Sequence, residues 1–443
     1  MSDRNFFLFC SIFIPPEILK HRINLFNLCN FYKNGLVPSY TLYKFFVTYF
    51  YRIPFFLYNE GALFVHNKMT ILILTAHYGE GHVQTAQTLA DTFIEKGVQN
   101  VHVCDLYGEA YPAIHSFAQT LLKKSFSRLG APLYKVFYYG TDKLSAKGLS
   151  YFYQHLGKKR LIELLQAYRP DIIITTFPMH AGAYLRSRPA FNIPTYTVIT
   201  DYCAHPLWTH PLIDQYYVAS QQVKNTLTSF GVNENRIGVT GIPIRKGFSH
   251  PPDRSMETFK KFGLDHTKKT VVIAGGGLGL LPDIDEISKG LNTRSIQIVL
   301  VTGRNSELKN QLSDVYRSYG NIKVLGYVDN ILELMSVTDC LVTKPGAITL
   351  TEAASLNIPV ILVSPNPGQE TENARYFASK GAAVIASKAD SISKYVSSIL
   401  SDEVLRQQFA KGYQSIYKRG AALKIADDIL ERNVHLRQQK GAN

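Results

Sequence analysis

Short apolar segments recur along the chain, and a turn and a helical pattern follow most of them. The segment 70–75, Thr-Ile-Leu-Ile-Leu-Thr, shows no alternation of apolar and polar residues, which is typical of a strand buried on both faces of a parallel sheet. Strands that alternate with helices indicate a doubly wound α/β fold. We predict such strands at 70–75, 101–105, 171–175, 195–200, 215–219, 237–240, 270–274, 296–301, 322–325, 340–343, 359–363 and 383–385.

The predicted strands fall into two groups that are separated by a linker near 242–250. A chain of 443 residues is too long for one ordinary domain, so two α/β domains are expected. We place the boundaries at 1–68 for an N-terminal extension, 69–243 and 244–405 for the two domains, and 406–443 for a C-terminal helix and tail. The helical pattern at the C-terminus is predicted as one helix at 401–432.

The first 68 residues differ in composition from the rest of the chain. They hold 18 of the 52 Phe and Tyr residues. The segment is interpreted in three ways: as an aromatic stretch at a membrane interface, as an added domain, or as residues upstream of a functional start at Met69. The third interpretation is favoured because the first predicted strand begins directly after Met69, and it predicts a poorly packed segment.

Net charge and cysteine content narrow the classes of partner. The formal net charge of +14 favours polyanionic partners, either nucleic acid or an anionic membrane. The 5 cysteines form no Cys-x-x-Cys pair, which argues against a zinc site or a disulfide framework and fits a reducing compartment. No apolar run reaches the roughly 18 residues of a spanning helix, so membrane contact is expected to be peripheral.

A basic and aromatic insertion is predicted between the second and third strands. Residues 111–165 carry nine Lys and Arg against Asp142 and Glu163. Cationic and aromatic side chains on helices suit an anionic bilayer surface. Nucleic acid is the alternative, but no recognition motif accompanies the charge, and a solvated helix face is the third possibility. The residues expected at the membrane or acceptor are Lys123, Lys124, Arg128, Tyr134 and Phe137.

The stretch 339–373 reads as strand, tight turn, helix, strand and loop. Pro345 and Gly346 are predicted to form the turn, and a helix is predicted to begin at Ala347. A helix N-terminus at the carboxyl ends of parallel strands binds anions. Glu352, on the same predicted helix, does not fit a phosphate site, because a phosphate repels a carboxylate. It is interpreted as an acceptor of hydrogen bonds from ribose hydroxyls, or alternatively as an ordinary capping or surface residue.

These motifs resemble a known family. Lys344-Pro-Gly-Ala-Ile-Thr-Leu-Thr-Glu352 and Asn366-Pro-Gly-Gln-Glu-Thr-Glu-Asn373 are similar to the nucleotide-sugar site of the diacylglycerol glycosyltransferases. These comprise bacterial processive diacylglycerol glucosyltransferases and plant monogalactosyldiacylglycerol synthases, which are relatives of the peptidoglycan N-acetylglucosaminyltransferase. The resemblance covers roughly 69 to the C-terminus. It implies the GT-B architecture, with an acceptor and membrane-facing domain at 69–243 and a nucleotide-sugar-binding domain at 244–405.

The resemblance also implies a donor site for a UDP-sugar. Gln369 and Glu370 are placed on the loop after a strand and expected at the sugar hydroxyls, and Gly-Gln-Glu favours a hexose without an acetamido group. Ala347 stands where relatives often carry a second glycine. Phosphate is expected to be held without metal or cofactor, by backbone amides, helix N-termini and basic side chains. The donor-binding residues are predicted to be Gly276, Gly277, Arg245, Lys344, Gly346, Ile348, Thr349, Glu352, Gln369 and Glu370.

His82 is the predicted general base. Imidazole titrates near neutral pH, and Gly79-Glu-Gly81-His82 resembles the family's Gly-x-Gly-His pattern, whose histidine is the proposed catalytic residue. His77 is the alternative. Asp201 resembles the family's Thr-Asp and is expected to orient His82 or to bind the acceptor, and Gly81 is expected on the acceptor side.

The expected function is therefore inverting hexose transfer from UDP-glucose or UDP-galactose to diacylglycerol at the cytoplasmic face of the membrane. The expected partners are the UDP-sugar, the lipid acceptor and an anionic membrane surface, and not nucleic acid. Two alternatives stay open: transfer to another lipid-linked or small acceptor, and a non-catalytic nucleotide-sugar-binding protein.

Overall fold

The computed structural model describes residues 69–77, 79–110, 155–277, 279, 281, 284–291, 295–363, 367–386 and 388–440. Within them, two parallel sheets of six strands each confirm the predicted α/β fold. The predictions for 1–68, and those for Lys123, Lys124, Arg128, Tyr134 and Phe137, lie outside the described residues. None of the described helices is long and apolar enough to cross a membrane.

The first lobe is built on a sheet with the strand order β2-β1-β3-β4-β5-β6. Its strands are β1 (Thr70–Thr75), β2 (Asn100–Asp105), β3 (Ile172–Thr175), β4 (Thr195–Val198), β5 (Gln215–Val218) and β6 (Ile237–Val239). Its helices are α1 (Glu80–Glu95), α2 (Leu106–Ala110), α3 (Lys158–Tyr168), α4 (Ala181–Leu185) and α5 (Gln221–Ser229). In β1, Ile71 and Ile73 pack in one apolar cluster, and Leu72 and Leu74 pack in another. The unbroken apolar run therefore serves both faces of the sheet.

The second lobe is built on a sheet with the order β12-β11-β10-β7-β8-β9. Its strands are β7 (Lys269–Ala274), β8 (Ile296–Val301), β9 (Ile322–Leu325), β10 (Cys340–Thr343), β11 (Val360–Val363) and β12 (Val384–Ala386). Its helices are α6 (Met256–Lys261), α7 (Ile284–Leu291), α8 (Ser306–Val315), α9 (Ile331–Ser336), α10 (Ala347–Ser355), α11 (Gln369–Ser379), α12 (Ala389–Ser401) and α13 (Glu403–Ile416). The last described helix is α14 (Ala421–Lys440).

Each sheet has one topological switch point, on either side of which successive strands are added in opposite directions. In the first sheet β1 lies between β2 and β3, and in the second sheet β7 lies between β8 and β10. The loops after two such neighbouring strands diverge and leave a crevice at their carboxyl ends, where open α/β sheets bind ligands. The loops after β1, β3, β7 and β10 are therefore the ones that the fold assigns to a binding site.

Aspartates fix the opposite edge of both sheets. Asp171, Asp214 and Asp339 each come directly before a strand. Their carboxylates accept hydrogen bonds from the backbone N–H groups of Thr70, Thr195 and Thr270 at 2.9, 2.8 and 2.8 Å. Each of these bonds reaches the start of the neighbouring strand. They supply acceptors for backbone donors that the parallel ladder leaves over at the strand ends.

The C-terminal segment forms two helices, so the prediction of one helix at 401–432 is wrong. The chain turns between α13 and α14 at Gly420, where φ is +74°. Phe409 and Tyr413 of α13 pack in the core of the second lobe. Helix α14 packs against α1 of the first lobe instead, through Ile425, Ala426, Ile429 and Leu430. The chain thus crosses back to the first lobe near its end.

The return of α14 is also fixed by polar contacts. The Tyr217 hydroxyl donates to Asp428 Oδ2 at 2.6 Å, and Asn433 Nδ2 donates to the Tyr196 hydroxyl at 2.9 Å. Desolvation by burial raises the pKa of Tyr196 to about 12, so its hydroxyl stays protonated over the neutral range. The predicted boundaries at 243/244 and 405/406 stay predictions.

Replacing a buried residue of α14 should destabilise the first lobe. Ile429 has no exposed surface, so Ile429→Ala leaves a cavity between α14 and the sheet. We expect a loss of about 2–4 kcal/mol in the free energy of unfolding. The control is Leu423→Ala on the same helix, where the side chain is 49% exposed and the expected change is within about 0.5 kcal/mol. Urea unfolding followed by circular dichroism measures both, and equal losses would contradict the packing of α14.

Candidate active site

Loops of the two lobes meet at close range through glycines. A β-carbon added at Gly81 would lie 3.0 Å from Ile348 Cγ1, and one added at Gly277 would lie 2.5 Å from Glu80 Cγ. Gly81 and Glu80 begin α1 of the first lobe, whereas Ile348 begins α10 and Gly277 follows β7 of the second lobe. A glycine, which has no side chain, lets the side chain of the other lobe approach its backbone this closely. Gly81, predicted on the acceptor side, therefore lies at the contact between the lobes.

His82 lies in the first turn of α1, and its ring is oriented by two threonines. Its Nδ1 lies 2.9 Å from the Thr176 carbonyl oxygen and 2.7 Å from Thr200 Oγ1. A carbonyl oxygen only accepts hydrogen bonds, so Nδ1 carries the proton of the neutral ring. Nε2 then keeps its lone pair and is the atom that can take a proton.

The surroundings of His82 keep it neutral. Burial lowers the pKa of its imidazole, and the negative charge of Asp201 opposes that shift. Phe177 contacts the ring edge-on, with centroids 5.0 Å apart, and Trp208 lies at 6.4 Å. A base must be unprotonated before it acts, and a pKa below its usual value meets this requirement at neutral pH.

Asp201 acts on His82 through its charge, whereas the hydrogen bonds that orient the ring join His82 Nδ1 to Thr176 and Thr200. The Asp201 carboxylate accepts a hydrogen bond at 3.0 Å from Asn373 Nδ2 of the second lobe. Burial raises the pKa of Asp201, and His82 and Asn373 oppose the rise. The alternative base, His77, is exposed, and its Nδ1 lies 2.8 Å from Asp105 Oδ2.

Glu352 and Arg245, both predicted to contact the donor, contact each other. Arg245 Nη2 donates to Glu352 Oε1 at 2.8 Å, and its Nε donates at 3.3 Å. Glu352 is 4% exposed, and burial raises the pKa of its carboxyl against the opposing effect of Arg245. With its amide oxygen turned toward Arg245, Gln84 of α1 accepts from Nη2 at 2.9 Å and from Nε at 2.6 Å. The first lobe thus contributes to the position of Arg245.

Two further cations of this region also lie beside carboxylates. Lys344 Nζ is 3.2 Å from Glu370 Oε1, and the Lys344 side chain lies against the predicted phosphate loop at Gly276. Arg304 Nη1 is 2.7 Å from Glu80 Oε1, which joins the lobes, and its guanidinium lies 4.8 Å above the Tyr327 ring. Lys344, Arg245 and Arg304 therefore line the contact between the lobes, each beside a carboxylate.

The remaining predicted donor residues lie at the ends of strands of the second lobe. Gly276 follows β7 with φ of +72°, Gly346 precedes α10, and Ile348 and Thr349 lie in the first turn of α10. Gln369 and Glu370 were expected in a loop but begin α11. Gly368 before them has φ of +93°, a conformation that favours glycine and lets the helix begin at once.

Sequence reasoning missed several polar residues of this site. Thr176 follows β3, Thr200 lies two residues after β4, and Arg304 lies three residues after β8. Their positions after strands were a usable signal, since the carboxyl ends of parallel strands form the edge of a sheet at which ligands bind. Gln84 and Asn373 carried no such signal, because both lie within helices.

No group of three or more His, Cys, Asp or Glu side chains in the described residues is arranged to hold a metal ion. The sequence contains the triplet Asp283-Ile-Asp285, a pair of carboxylates of the type that binds divalent ions. Asp285 lies on α7, where its carboxylate contacts Lys289 Nζ at 2.6 Å and accepts from the Tyr316 hydroxyl at 2.7 Å. The Asp285 carboxylate is therefore bound by Lys289 and Tyr316, two side chains of the second lobe.

Comparison with known proteins identifies the family. The chain is 43% identical over 365 residues to the processive diacylglycerol beta-glucosyltransferase of Bacillus thuringiensis, with 82% of this chain and 94% of that protein covered. The enzyme of the same name from Bacillus cytotoxicus is 42% identical over the same shares. This chain belongs to the diacylglycerol glycosyltransferase family. It is a hexosyltransferase, as the sequence motifs indicated.

Family models agree with this assignment, and solved structures agree with the fold. The monogalactosyldiacylglycerol synthase model matches residues 82–244 of this diacylglycerol glycosyltransferase, and the glycosyltransferase family 28 C-terminal domain model matches 270–429. A UDP co-structure of MnaA from S. aureus has a TM-score of 0.57 at 14% identity, covering 82% of this chain and 96% of that one. MurG from Acinetobacter baumannii has a TM-score of 0.52 at 15% identity, covering 82% and 99%. These likenesses support the predicted GT-B fold.

Removing the charge of Glu352 should weaken binding of UDP, the predicted donor moiety. A hydrogen bond to a charged group contributes about 1.5–3 kcal/mol, so Glu352→Gln is expected to raise the dissociation constant of UDP by about 10–100-fold. The control is Glu286→Gln on α7, where the side chain is exposed. Isothermal titration calorimetry measures both, and an unchanged constant in Glu352→Gln would rule out the ribose assignment.

Replacing Asp201 should shift the acid limb of the pH–rate profile, the range in which turnover falls as pH drops. His82 is predicted to act as a base only when its ring is unprotonated, so turnover is expected to fall as pH drops through its pKa, which burial holds below the usual value for a histidine. Asp201 raises that pKa, so Asp201→Asn should lower it and move the acid limb to lower pH. Steady-state rates across the acid range test this. The control is Asp91→Asn, at an exposed position of α1, the helix that carries His82. An acid limb that moves to higher pH in Asp201→Asn would contradict the predicted effect of Asp201 on His82.

Proposed function

We propose that the protein transfers glucose from UDP-glucose to diacylglycerol, with inversion and without a metal ion, at the cytoplasmic surface of a membrane. The observation that carries the proposal is the imidazole of His82, whose Nδ1 is held by Thr176 and Thr200 so that Nε2 can accept a proton. Glucose is chosen over galactose because the relatives at 42–43% identity are named beta-glucosyltransferases.

The reaction begins with the acceptor. Nε2 of His82 takes the proton of the free hydroxyl of diacylglycerol while that oxygen attacks the anomeric carbon of the glucosyl group. The bond between the anomeric carbon and the phosphate oxygen breaks, and UDP leaves with its electron pair. Attack opposite to the leaving group converts the α-linkage of UDP-glucose into a β-linkage, which matches the beta product in the relatives' names.

The leaving diphosphate needs compensation of its growing negative charge. Lys344, Arg245 and Arg304 line the contact between the lobes, and the backbone N–H groups at Gly276 and Gly277 follow β7. Positioned donors of this kind stabilise developing charge without a metal ion. UDP would draw these cations from Glu370, Glu352 and Glu80, and Glu352 would then accept from the ribose hydroxyls.

The lipid is proposed to enter from the side of the basic insertion. The described chain stops at Ala110, the last residue of α2, and resumes at His155. On α2, Tyr107 packs edge-on against Phe177 with centroids 6.0 Å apart, and Phe177 contacts His82. An aromatic path thus connects α2, which precedes the insertion in sequence, with His82. Residues 111–165 hold nine Lys and Arg and only two acidic residues, and this positive charge supports an anionic membrane as the partner.

A donor and acceptor screen tests the proposal. The purified full chain is given radiolabelled UDP-glucose or UDP-galactose with diacylglycerol in detergent or in vesicles, and lipid products are separated by thin-layer chromatography. We expect a β-glucosyl lipid from UDP-glucose, a rate that EDTA leaves unchanged, and faster turnover on vesicles with anionic lipid that declines as salt rises.

His82→Ala should lower this rate by about 10²–10⁴-fold, while His266→Ala, at an exposed position, should not change it. No glucolipid from either donor would reject the proposed reaction. Transfer only to another acceptor would retain the enzyme class and reject diacylglycerol. UDP binding without any transfer would favour a binding protein.

A further inference from the structure

Three consecutive residues after β4 connect the base to the second lobe. Thr200 Oγ1 lies 2.7 Å from His82 Nδ1, and the Asp201 carboxylate accepts from Asn373 Nδ2 at 3.0 Å. The Tyr202 backbone N–H donates to Asn373 Oδ1 at 2.9 Å. A displacement of one of these residues moves its neighbours, because adjacent α-carbons are joined at fixed distance.

The amide of Asn373 is fully used by these contacts. Its oxygen accepts from Tyr202, and its nitrogen donates to Asp201 Oδ1 and, at 3.3 Å, to the Pro345 carbonyl oxygen. Asn373 is 1% exposed, and an amide has two donor hydrogens, both of which find acceptors here. Pro345 belongs to the turn between Lys344 and Gly346, so one side chain joins the base loop to the donor turn.

The second lobe also encloses Tyr202. Its ring stacks on Tyr376 of α11 at 5.1 Å and meets Phe377 edge-on at 4.9 Å. The Thr351 hydroxyl donates to the Ala347 carbonyl, so the Tyr202 hydroxyl is the donor in its 2.8 Å contact with Thr351 Oγ1. Tyr202 is 1% exposed and belongs to the core cluster of the second lobe, although the strand before it belongs to the first.

We propose that Asn373 is a positioning residue for the general base, acting across the lobe interface through Asp201 and Thr200. Asn373 lies one helical turn after Gln369 and Glu370 on α11, so the helix that is predicted to hold the donor sugar also fixes the base. The base is then aligned only when the two lobes are in this arrangement. The inference rests on the proposed function, in which His82 takes the acceptor proton.

The physical reason lies in the burial of Asp201. A buried carboxylate needs donors to stay charged, and the Asn373 amide supplies one, while Glu370 on α11 repels it. Without that amide, Asp201 would take up a proton more readily and would offer His82 less negative charge. The loop carrying Thr200 would also lose its anchor. An error of about 1 Å in the placement of a catalytic group can cost about 10²-fold in rate.

Asn373→Ala tests the proposal, with Asn433→Ala as the matched control. Asn433 is likewise a buried asparagine that joins separate parts of the fold, through the Tyr196 hydroxyl and the Ile429 carbonyl. We expect Asn373→Ala to lower kcat by about 10–100-fold with the UDP dissociation constant within about threefold of the parent. Two-dimensional NMR titration of the histidine rings should show a lower pKa for His82. Asn433→Ala should change neither kcat nor that pKa.

Equal losses of kcat and UDP affinity in Asn373→Ala, or an unmoved pKa of His82, would overturn the positioning role. If Asn373→Ala does not fold, Thr200→Val cuts the next link with little change in size, and an unaltered kcat there would equally overturn it. The NMR titration needs no turnover. A parent protein that transfers no sugar would therefore refute the proposed function alone, and the shift of the His82 pKa would still decide the role of Asn373.

Discussion

Parallel strands place all their carboxyl ends at one edge of a sheet, and in this protein two such edges meet. The lobes touch where Gly81 faces Ile348 and Gly277 faces Glu80. The residues of the candidate site lie at or near this contact because they follow the carboxyl ends of β1, β3, β4, β6, β7, β8, β10 and β11. The aspartates that fix the far ends of β1, β4 and β7 support the same arrangement, since they hold the strands from the opposite edge. The site is thus a consequence of topology as much as of its side chains.

Charge in the cleft is balanced locally in a chain whose formal net charge is +14. Arg245, Lys344 and Arg304 each lie beside a carboxylate, and two of those carboxylates, Glu352 and Glu370, lie on the helices predicted to bind the donor. Glu352 is the buried member of this set, and an unpaired buried charge is costly, so Arg245 stabilises its carboxylate.

The lobes are connected at more than the linker. Tyr202 of the first lobe is enclosed by α10 and α11, and α14 returns from the second lobe to pack on α1. The helix that carries His82 is therefore held from one side by the C-terminal helix and from the other by the loop after β4. This arrangement gives His82, the predicted base, a defined position relative to the helices that are predicted to bind the donor.

Much of the fold was readable from the residues. Twelve short segments predicted the twelve strands of the two sheets, and the two groups of segments predicted the two lobes. The clearest segments became strands such as β1 and β8, because a strand buried on both faces is apolar throughout. The break at Gly420 was missed because helical periodicity continues on both sides of it. Only the tertiary structure decided which lobe α14 joins.

The sequence determined which residues have the chemistry for the site: an imidazole after the first strand, glycines after the seventh, and Lys344 and Glu352 around the tenth. Tertiary structure decided their partners. Arg245 and Glu352 are 107 positions apart, and Tyr202 and Asn373 are 171 apart. Such pairs arise only in the folded chain, because they join residues that are far apart in sequence, and no local propensity or spacing encodes them. The bond from Thr200 to His82 and the anchoring of Asp201 by Asn373 belong to that second class.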